Sequence, residues 1–267
     1  MKKTIDFDFD FSQFADLVNF LCPSIKQITE FYATSPIHTD YKADLSPVTI
    51  VDRSIEQMFT EHITTSMPQC AILGEESGLS GRRDSRYRWI IDPIDGTNSY
   101  IHGVPLYSTL IAFTVDRRPL YGAIYLPALN KLLIGNNEQT FLDGKPVSMR
   151  PCESIEKATL LTSGLGGFFK HRDANRFIEL ARRAKCFRTW GDGYGYYLLA
   201  TGRADIMVDA HVSLWDCAAI VPIIRGAGGI ITDYHGNDVI GSDSMVAACP
   251  ELHPHLLNAL TTPSESL

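Results

Sequence analysis

The stretch Trp89-Ile-Ile-Asp-Pro-Ile-Asp-Gly-Thr-Asn98 decides how this chain is interpreted. Its apolar beginning predicts a buried strand that ends in two carboxylates, Asp92 and Asp95. Pro93 stiffens the bend between them and has no N–H that would compete for the carboxylates, and Gly96 lets a ligand approach the backbone closely. Asp-Gly alone is typical of a polar turn. Because two neighbouring carboxylates repel unless a cation joins them, the whole stretch predicts a metal site.

Three further acidic motifs lie at predicted element ends: Gly74-Glu75-Glu76-Ser77, Thr49-Ile-Val-Asp52 and Ser213-Leu-Trp-Asp216. Each has a structural alternative, which is a solvated turn for the first and a helix capping box for the other two. Together the four motifs supply at least five carboxylates on rigid scaffold positions. That pattern favours metal-assisted hydrolysis over acyl transfer. The sequence contains no Gly-x-Ser-x-Gly nucleophile elbow, no His-Glu-x-x-His zinc-binding motif and no Gly-x-x-x-x-Gly-Lys phosphate loop.

Composition bounds the class of protein. The chain has 267 residues, of which 45% are hydrophobic and 21% charged, so a packed core is expected and general disorder is excluded. The net charge of −7 argues against nucleic acid or an anionic membrane as the main partner. No apolar run approaches the ~20 residues of a membrane helix. Six scattered cysteines without a CxxC pair predict reduced core thiols in a cytoplasmic protein.

Two segments imitate other motifs. Asp6-Phe-Asp-Phe-Asp10 resembles an Asp-x-Asp phosphatase nucleophile, but no buried strand precedes it, so we interpret it as a solvated leader. Gly191-Asp-Gly-Tyr-Gly195 lacks the glycine spacing of a dinucleotide-binding loop. Neither segment therefore alters the prediction of a metal-assisted hydrolase.

The order of predicted elements indicates an α/β fold. Two helices are expected first, over 10–33 and after the capping residue Thr49, and four short antiparallel strands over 106–149. Strands and helices then alternate from 158 onward, including one helix over 214–226. We expect one compact domain over 1–267, with lobes of mixed α and β structure at about 1–150 and 151–267.

Three strings carry a family resemblance: Gly74-Glu-Glu-Ser77, the segment 89–97, and Trp215-Asp216 followed by Gly226-Ala-Gly-Gly229. They closely resemble the inositol monophosphatase family of magnesium-dependent, lithium-sensitive phosphomonoesterases, in the right order and over nearly the whole chain. The resemblance implies the layered α-β-α-β-α sugar-phosphatase fold, a small phosphorylated substrate, two or three Mg²⁺ ions in each active site, and a homodimer.

The resemblance also implies residue roles. The implied metal ligands are four carboxylates and one backbone carbonyl: Glu75, Asp92, Ile94, Asp95 and Asp216. Asp52 and Thr97 would orient and deprotonate the attacking water, with Glu75 assisting, and backbone N–H groups of Gly96 and Thr97 would bind the phosphate. Asp216 and its ion would face the leaving group of the substrate. This scheme needs no phosphorylated enzyme residue.

The substrate is the more open question. The segments 42–49, 188–194 and 212–215 resemble the histidinol-phosphate phosphatase branch. Asp192 and Asp209 correspond to family positions that contact the substrate beyond its phosphate, where carboxylates favour an ammonium group, and Arg188 is predicted to touch the phosphate. Alternatively, Asp192 caps a helix that begins near Tyr194, and Asp209 ends a strand on the surface.

Other functions also stay open at this point. Inositol hydroxyls can donate to carboxylates, so an inositol-1-monophosphatase is an alternative, as is a nucleotide 3′-phosphatase. A non-catalytic interaction protein on the same fold is a further alternative, which a missing metal ligand would favour. All the expected ligands are present in the sequence.

Overall fold

The computed structural model describes residues 9–33, 39–41 and 47–261. The α-helices in these ranges are α1 Phe11–Ala33, α2 Ile50–Ser66, α3 Thr97–Ile101, α4 Gly166–His171, α5 Ala174–Arg183, α6 Asp192–Ala200, α7 Leu214–Ala218, α8 Ile220–Gly226 and α9 His253–Thr261. The strands are β1 Thr39–Tyr41, β2 Pro47–Thr49, β3 Ala71–Gly74, β4 Gly78–Gly81, β5 Tyr87–Asp95, β6 Ser108–Val115, β7 Arg118–Leu126, β8 Lys131–Gly135, β9 Thr140–Leu142, β10 Lys145–Val147, β11 Thr159–Leu161, β12 Cys186–Arg188, β13 Ile206–Asp209, β14 Ile230–Thr232 and β15 Met245–Ala248.

The first two helices begin at reciprocal caps. At α1, the N–H of Gln13 donates to Asp10 Oδ1 at 2.9 Å, and the N–H of Asp10 donates to Gln13 Oε1 at 2.8 Å. At α2, the predicted cap Thr49 donates its N–H to Asp52 Oδ2 at 2.7 Å and accepts from the N–H of Val51 at 3.1 Å. Such pairs satisfy backbone donors that have no partner within the helix.

An eight-stranded sheet occupies the first half of the described chain. Its strand order is β10-β9-β8-β7-β6-β5-β3-β4, and all neighbours are antiparallel except β3 and β5, which are parallel. Trp89 of β5 is fully buried and stacks on Phe14 of α1, with ring centroids 5.7 Å apart. This aromatic contact fastens α1 to the outer face of the sheet.

A five-stranded sheet follows, with the order β12-β11-β13-β15-β14. Strand β11 is parallel to both β12 and β13, and β15 is antiparallel to β13 and β14. The three parallel strands therefore bring their carboxyl ends to one edge of this sheet, which is the usual location of a ligand site in such sheets.

The layers follow from three apolar clusters. In the described residues, α1 and α2 cover one face of the large sheet, α6 and α8 fill the space between the two sheets, and α5 and α9 cover the far face of the small sheet. The predicted layered α-β-α-β-α fold is therefore confirmed. The prediction of one domain over 1–267 stays a prediction.

Three local predictions were wrong. The region 106–149 forms five strands instead of four. The expected helix 214–226 divides into α7 and α8, because Pro222 has no N–H to donate to the carbonyl of Ala218. Phe9 is 4% exposed and lies 4.8 Å from the ring of Phe113, so the interpretation of 6–10 as a solvated leader fails for Phe9 and for the capping residue Asp10. Residues 6–8 lie outside the described residues.

Two further expectations concerned the state of the cysteines and membrane-spanning helices. All six cysteines are free thiols, and five of them are buried, as predicted. Within the described ranges, every helix is too short or too polar to cross a membrane.

Candidate active site

The strand end that carries the paired carboxylates is irregular. Between Asp92 and Asp95, two residues of β5 oppose one residue of β6. Side chains three residues apart face opposite sides of a regular strand, and the extra residue removes that difference. Thr109 donates its hydroxyl to the Pro93 carbonyl at 2.7 Å and holds the irregular segment in place. Both carboxylates consequently line one cavity.

Glu75 joins them because β3 and β5 are parallel. Gly74 is opposite Ile91, and the N–H of Glu75 donates to the Ile91 carbonyl at 3.2 Å. The carboxyl ends of two parallel neighbours lie at the same edge of a sheet, so Glu75 comes beside Asp92. Asp216 enters from the start of α7, where its Oδ2 accepts from the N–H of Ser213 at 2.6 Å.

The small sheet supplies the opposite wall. Ser163, Asp192 and Asp209 lie at the carboxyl ends of β11, β12 and β13. The N–H of Ser163 donates to Asp209 Oδ1 at 3.0 Å, and the N–H of Asp192 donates to Ser163 Oγ at 2.8 Å. Tyr196 of α6 donates its hydroxyl to Asp209 Oδ2 at 2.9 Å. These bonds fix the Asp209 carboxylate and the backbone of Asp192 at the cavity wall.

A cavity of about 200 Å³ lies between the two sheet edges. Its lining contains the side chains or backbone of most predicted site residues: Glu75, Asp92, Ile94, Asp95, Gly96, Thr97, Asp192, Asp209 and Asp216. An adjoining cavity of about 330 Å³ shares Glu75, Gly96, Thr97, Ser163 and Asp192 with it. The two cavities share these five residues, an arrangement that suits a small ligand extending across both.

Burial and mutual repulsion govern protonation in this cavity. Burial, followed by the charges of Glu75 and Asp95, raises the pKa of Asp92 well above its usual range. Burial raises the pKa of Asp95 to about 6, against hydrogen bonds from Ser108 and the Gly193 N–H, and raises that of Asp216 to about 8. Carboxylates at this density do not all ionise unless cations enter.

The donor set fits Mg²⁺. Asp92 Oδ1 is buried and has no hydrogen-bond partner among the described atoms. Hard cations take oxygen ligands of this kind, and the strand ends offer carboxylates and the Ile94 carbonyl together. In the described part of the chain, no three His, Cys, Asp or Glu side chains already have a metal-binding arrangement. The fit therefore rests on the chemistry of the donors and on the unpartnered oxygen.

Asp52 and Thr97, the two residues predicted to orient and deprotonate the attacking water, differ in their positions relative to the cavities. Asp52 Oδ2 serves the cap of α2, whereas Oδ1 is buried without a partner in the described structure. Burial raises the pKa of Asp52, and the charge of Glu75 adds to the rise. Thr97 donates its hydroxyl to the Ile94 carbonyl at 2.9 Å. Asp52 does not line either cavity, whereas Thr97 lines both.

Of the residues predicted to contact the substrate beyond the backbone of Gly96 and Thr97, Asp192 and Asp209 line the cavity and Arg188 does not. Asp209 is 6% exposed, so the alternative of a surface strand end is wrong. Helix α6 begins at Asp192 itself, with Gly191 as its N-cap, so Asp192 does not cap a helix at Tyr194. Arg188 is exposed; its guanidinium donates to the Phe187 carbonyl at 2.6 Å and lies 5.8 Å from the ring of Trp190. Arg188 is absent from the lining of both cavities.

Sequence reasoning assigned no functional role to three polar residues of the cavity wall: Ser163, Tyr196 and His211. The ring of His211 stacks on His171, with centroids 4.3 Å apart. Polar residues directly after predicted parallel strands are the signal that finds Ser163 and His211. Tyr196 is visible only when α6 is packed against β13.

Comparisons with known proteins identify the family of the chain. A family model described as the inositol monophosphatase family matches residues 22–264. The chain is 34% identical over 237 residues to the histidinol-phosphatase of Chlorobaculum parvum, covering 88% of this chain and 91% of that protein. It is 35% identical over 230 residues to the histidinol-phosphatase of Mycobacterium tuberculosis, covering 84% and 88%. A solved inositol monophosphatase from Zymomonas mobilis superposes with a TM-score of 0.84 at 31% identity, covering 94% and 99%. The chain therefore belongs to the inositol monophosphatase family of phosphoric monoester hydrolases.

Proposed function

We propose that this protein is a Mg²⁺-dependent phosphomonoesterase that hydrolyses histidinol phosphate to histidinol and inorganic phosphate. The charge of the cavity carries the proposal: of its 15 described lining residues, six are Asp or Glu and none is Lys or Arg. A phosphate monoester is anionic near neutral pH and is repelled by such a wall. Cations must therefore accompany it, as metal ions at one end and as an ammonium group on the substrate at the other.

The metal end would be formed by the carboxylates at the strand ends. Glu75, Asp92, Asp95, Asp216 and the Ile94 carbonyl would hold two Mg²⁺ ions, with a weaker third ion near Glu75. Bound Mg²⁺ supplies positive charge for phosphoryl transfer and makes water a stronger acid. Burial first, and then the neighbouring carboxylates, raises the pKa values of Asp92 and Asp216, and bound Mg²⁺ would favour the ionised forms of both groups.

The protein groups would orient the reacting atoms. Thr97 keeps its hydroxyl hydrogen on the Ile94 carbonyl, so its oxygen lone pairs remain available to accept a hydrogen bond from the attacking water. Asp52 and Glu75 would accept the proton that this water loses. The backbone N–H groups of Gly96 and Thr97 would bind the phosphate oxygens.

The substrate end would be formed by Asp192. Both oxygens of Asp209 are already hydrogen-bonded, to Ser163 and Tyr196. Asp192 lines both cavities, so its carboxylate is the one that a bound ammonium group would reach. Asp209 would add negative charge behind it. The histidinol-phosphatase relatives support this choice of substrate.

A substrate comparison tests the proposal. Purified protein with Mg²⁺ is assayed for phosphate release from histidinol phosphate, inositol 1-phosphate and adenosine 3′,5′-bisphosphate, with a metal chelator as the control. We expect kcat/KM for histidinol phosphate to exceed the others by more than about tenfold, or ~1.4 kcal/mol. A tenfold preference for either competitor would refute the substrate, and turnover without Mg²⁺ would refute the metal.

Inositol-1-monophosphatase activity is the second candidate. The similarity to the Zymomonas mobilis inositol monophosphatase favours it, and hydroxyl groups of inositol can donate to Asp192. It predicts comparable or better kcat/KM for inositol 1-phosphate, and unchanged discrimination when the charge of Asp192 is removed.

The proposal includes a cytoplasmic homodimer. Six free thiols support a reducing compartment, and the family resemblance supports the dimer. Light scattering of the purified protein at micromolar concentration tests the dimer directly, and a monomeric mass would refute it.

A further inference from the structure

A buried carboxylate of α2 lies under the turn that carries Glu75. Glu56 is 2% exposed and follows Asp52 by one helical turn. Its Oε2 accepts from the N–H of Glu76 at 2.9 Å, and its Oε1 accepts from the N–H of Ser77 at 2.8 Å. The hydroxyl of Ser77 also donates to Oε1. Three donors of one turn therefore converge on a single side chain.

The backbone passes very close to this carboxylate. A Cβ atom added to Gly74 would overlap the Glu56 carboxylate. On the other side, the N–H of Glu75 is bonded to the Ile91 carbonyl of β5. The backbone on either side of Glu75 is thus fixed by a sheet bond before it and by the Glu56 carboxylate after it.

We propose that Glu56 is a positioning residue of the metal site, an inference that rests on the proposed function. Glu56 does not line the 200 Å³ cavity, whereas Glu75 does. By binding the turn 75–77, it would keep the Glu75 carboxylate beside Asp92. Because Asp52 lies on the same helix, α2 also sets the distance between Asp52 and Glu75. Groups that orient a metal ligand in this way tune metal affinity.

The substitution Glu56→Gln isolates this role. Glutamine has the same shape, but one of its two ends is a donor and would face a backbone N–H of the turn. We expect the dissociation constant for Mg²⁺, measured by calorimetry without substrate, to rise about tenfold or more. The Mg²⁺ concentration for half-maximal phosphate release should rise in parallel, and excess Mg²⁺ should restore most of the turnover.

Two further variants separate positioning from stability. Ser77→Ala removes one donor to Glu56 and should weaken Mg²⁺ binding in the same direction by a smaller factor. Asp205→Asn removes a buried carboxylate elsewhere, which is bonded to Arg150 and to the N–H of Thr159. It should lower the melting temperature and leave the Mg²⁺ dissociation constant unchanged.

The outcomes are distinguishable. Wild-type affinity for Mg²⁺ in Glu56→Gln and Ser77→Ala would overturn the positioning role while leaving the proposed function intact. If Glu56→Gln does not fold, Ser77→Ala decides alone, and an unchanged dissociation constant there overturns the role. A wild-type protein that binds no Mg²⁺ would refute the proposed function, and the positioning role with it.

Discussion

Replacing Asp216 with Asn should affect the metal-free and magnesium-bound protein in opposite directions. Burial is the main cause that raises the pKa of Asp216 from 3.8 to about 8, with a further contribution from the charge of Asp95. A carboxyl with a raised pKa contributes stability at acidic pH, and this contribution is lost as the pH rises from about 4 towards 8. Removing the ionisable group therefore removes a cost at neutral pH. Asn keeps an oxygen for the Ser213 N–H, so the cap of α7 survives.

The magnitude follows from the pKa. Each tenfold change in protonation is worth about 1.4 kcal/mol, so holding the group protonated up to about pH 7 costs at most ~4 kcal/mol. Asp216 keeps some exposed surface, and the neighbouring carboxylates share protons with it. Solvent screening and this sharing reduce the expected gain of the metal-free variant to about 1–2 kcal/mol.

Urea unfolding measures the effect. With chelator at about pH 7.5, Asp216→Asn should unfold at higher urea than wild type, and the difference should shrink at about pH 5. With Mg²⁺ the order should reverse, because only the wild type gains binding energy from the ion, and phosphate release should fall about 100-fold or more. The control Asp205→Asn should lose stability in every condition. An Asp216→Asn effect of the same sign with and without Mg²⁺ would refute the like-charge cluster.

Three further changes test separate parts of the structure. Asp192→Asn should lower kcat/KM for histidinol phosphate by about tenfold and leave inositol 1-phosphate nearly unchanged, since only the first carries an ammonium group; equal losses would contradict the charge argument. Trp89→Ala should cost about 3–5 kcal/mol in urea unfolding, because the ring is fully buried against Phe14; a loss below about 1 kcal/mol would contradict its core position. Gly96→Ala should cost about 1–2 kcal/mol and lower kcat, because Gly96 has φ +83° and a Cβ there would approach the Leu106 carbonyl to 3.2 Å; wild-type stability and kcat would contradict this backbone.

Most of the helix and strand positions could be predicted from local pattern. The apolar face of helix α1 is formed by Phe14, Val18 and Leu21, and the capping residue Thr49 marks the start of α2. The errors arose where contacts between residues far apart in the sequence determine which side chains are buried. Phe9 looks solvent-exposed in a run of acidic residues, and it is buried only because the face of the sheet behind it is aromatic.

The candidate site was partly predictable. Motif chemistry identified the carboxylates Glu75, Asp92, Asp95 and Asp216, which line one cavity in the structure. Arg188 was expected near the phosphate, but its guanidinium lies over the ring of Trp190 and lines neither cavity. A residue at a strand end points to either side of the sheet according to a single step in register, and a motif does not record that step.

The sequence by itself determined the class of chemistry, because carboxylates at tight strand ends repel one another unless a cation binds, whatever the surrounding fold. The order and periodicity of its apolar segments also indicated an α/β fold, and the family resemblance implied the layered architecture. Only the tertiary structure decided which carboxylates line the same cavity. Residues at the carboxyl ends of the parallel strands β3 and β5 and of the parallel strands β12, β11 and β13 line it together. That meeting depends on the packing of α6 and α8 between the two sheets, which is a long-range balance of apolar contacts that no local segment encodes.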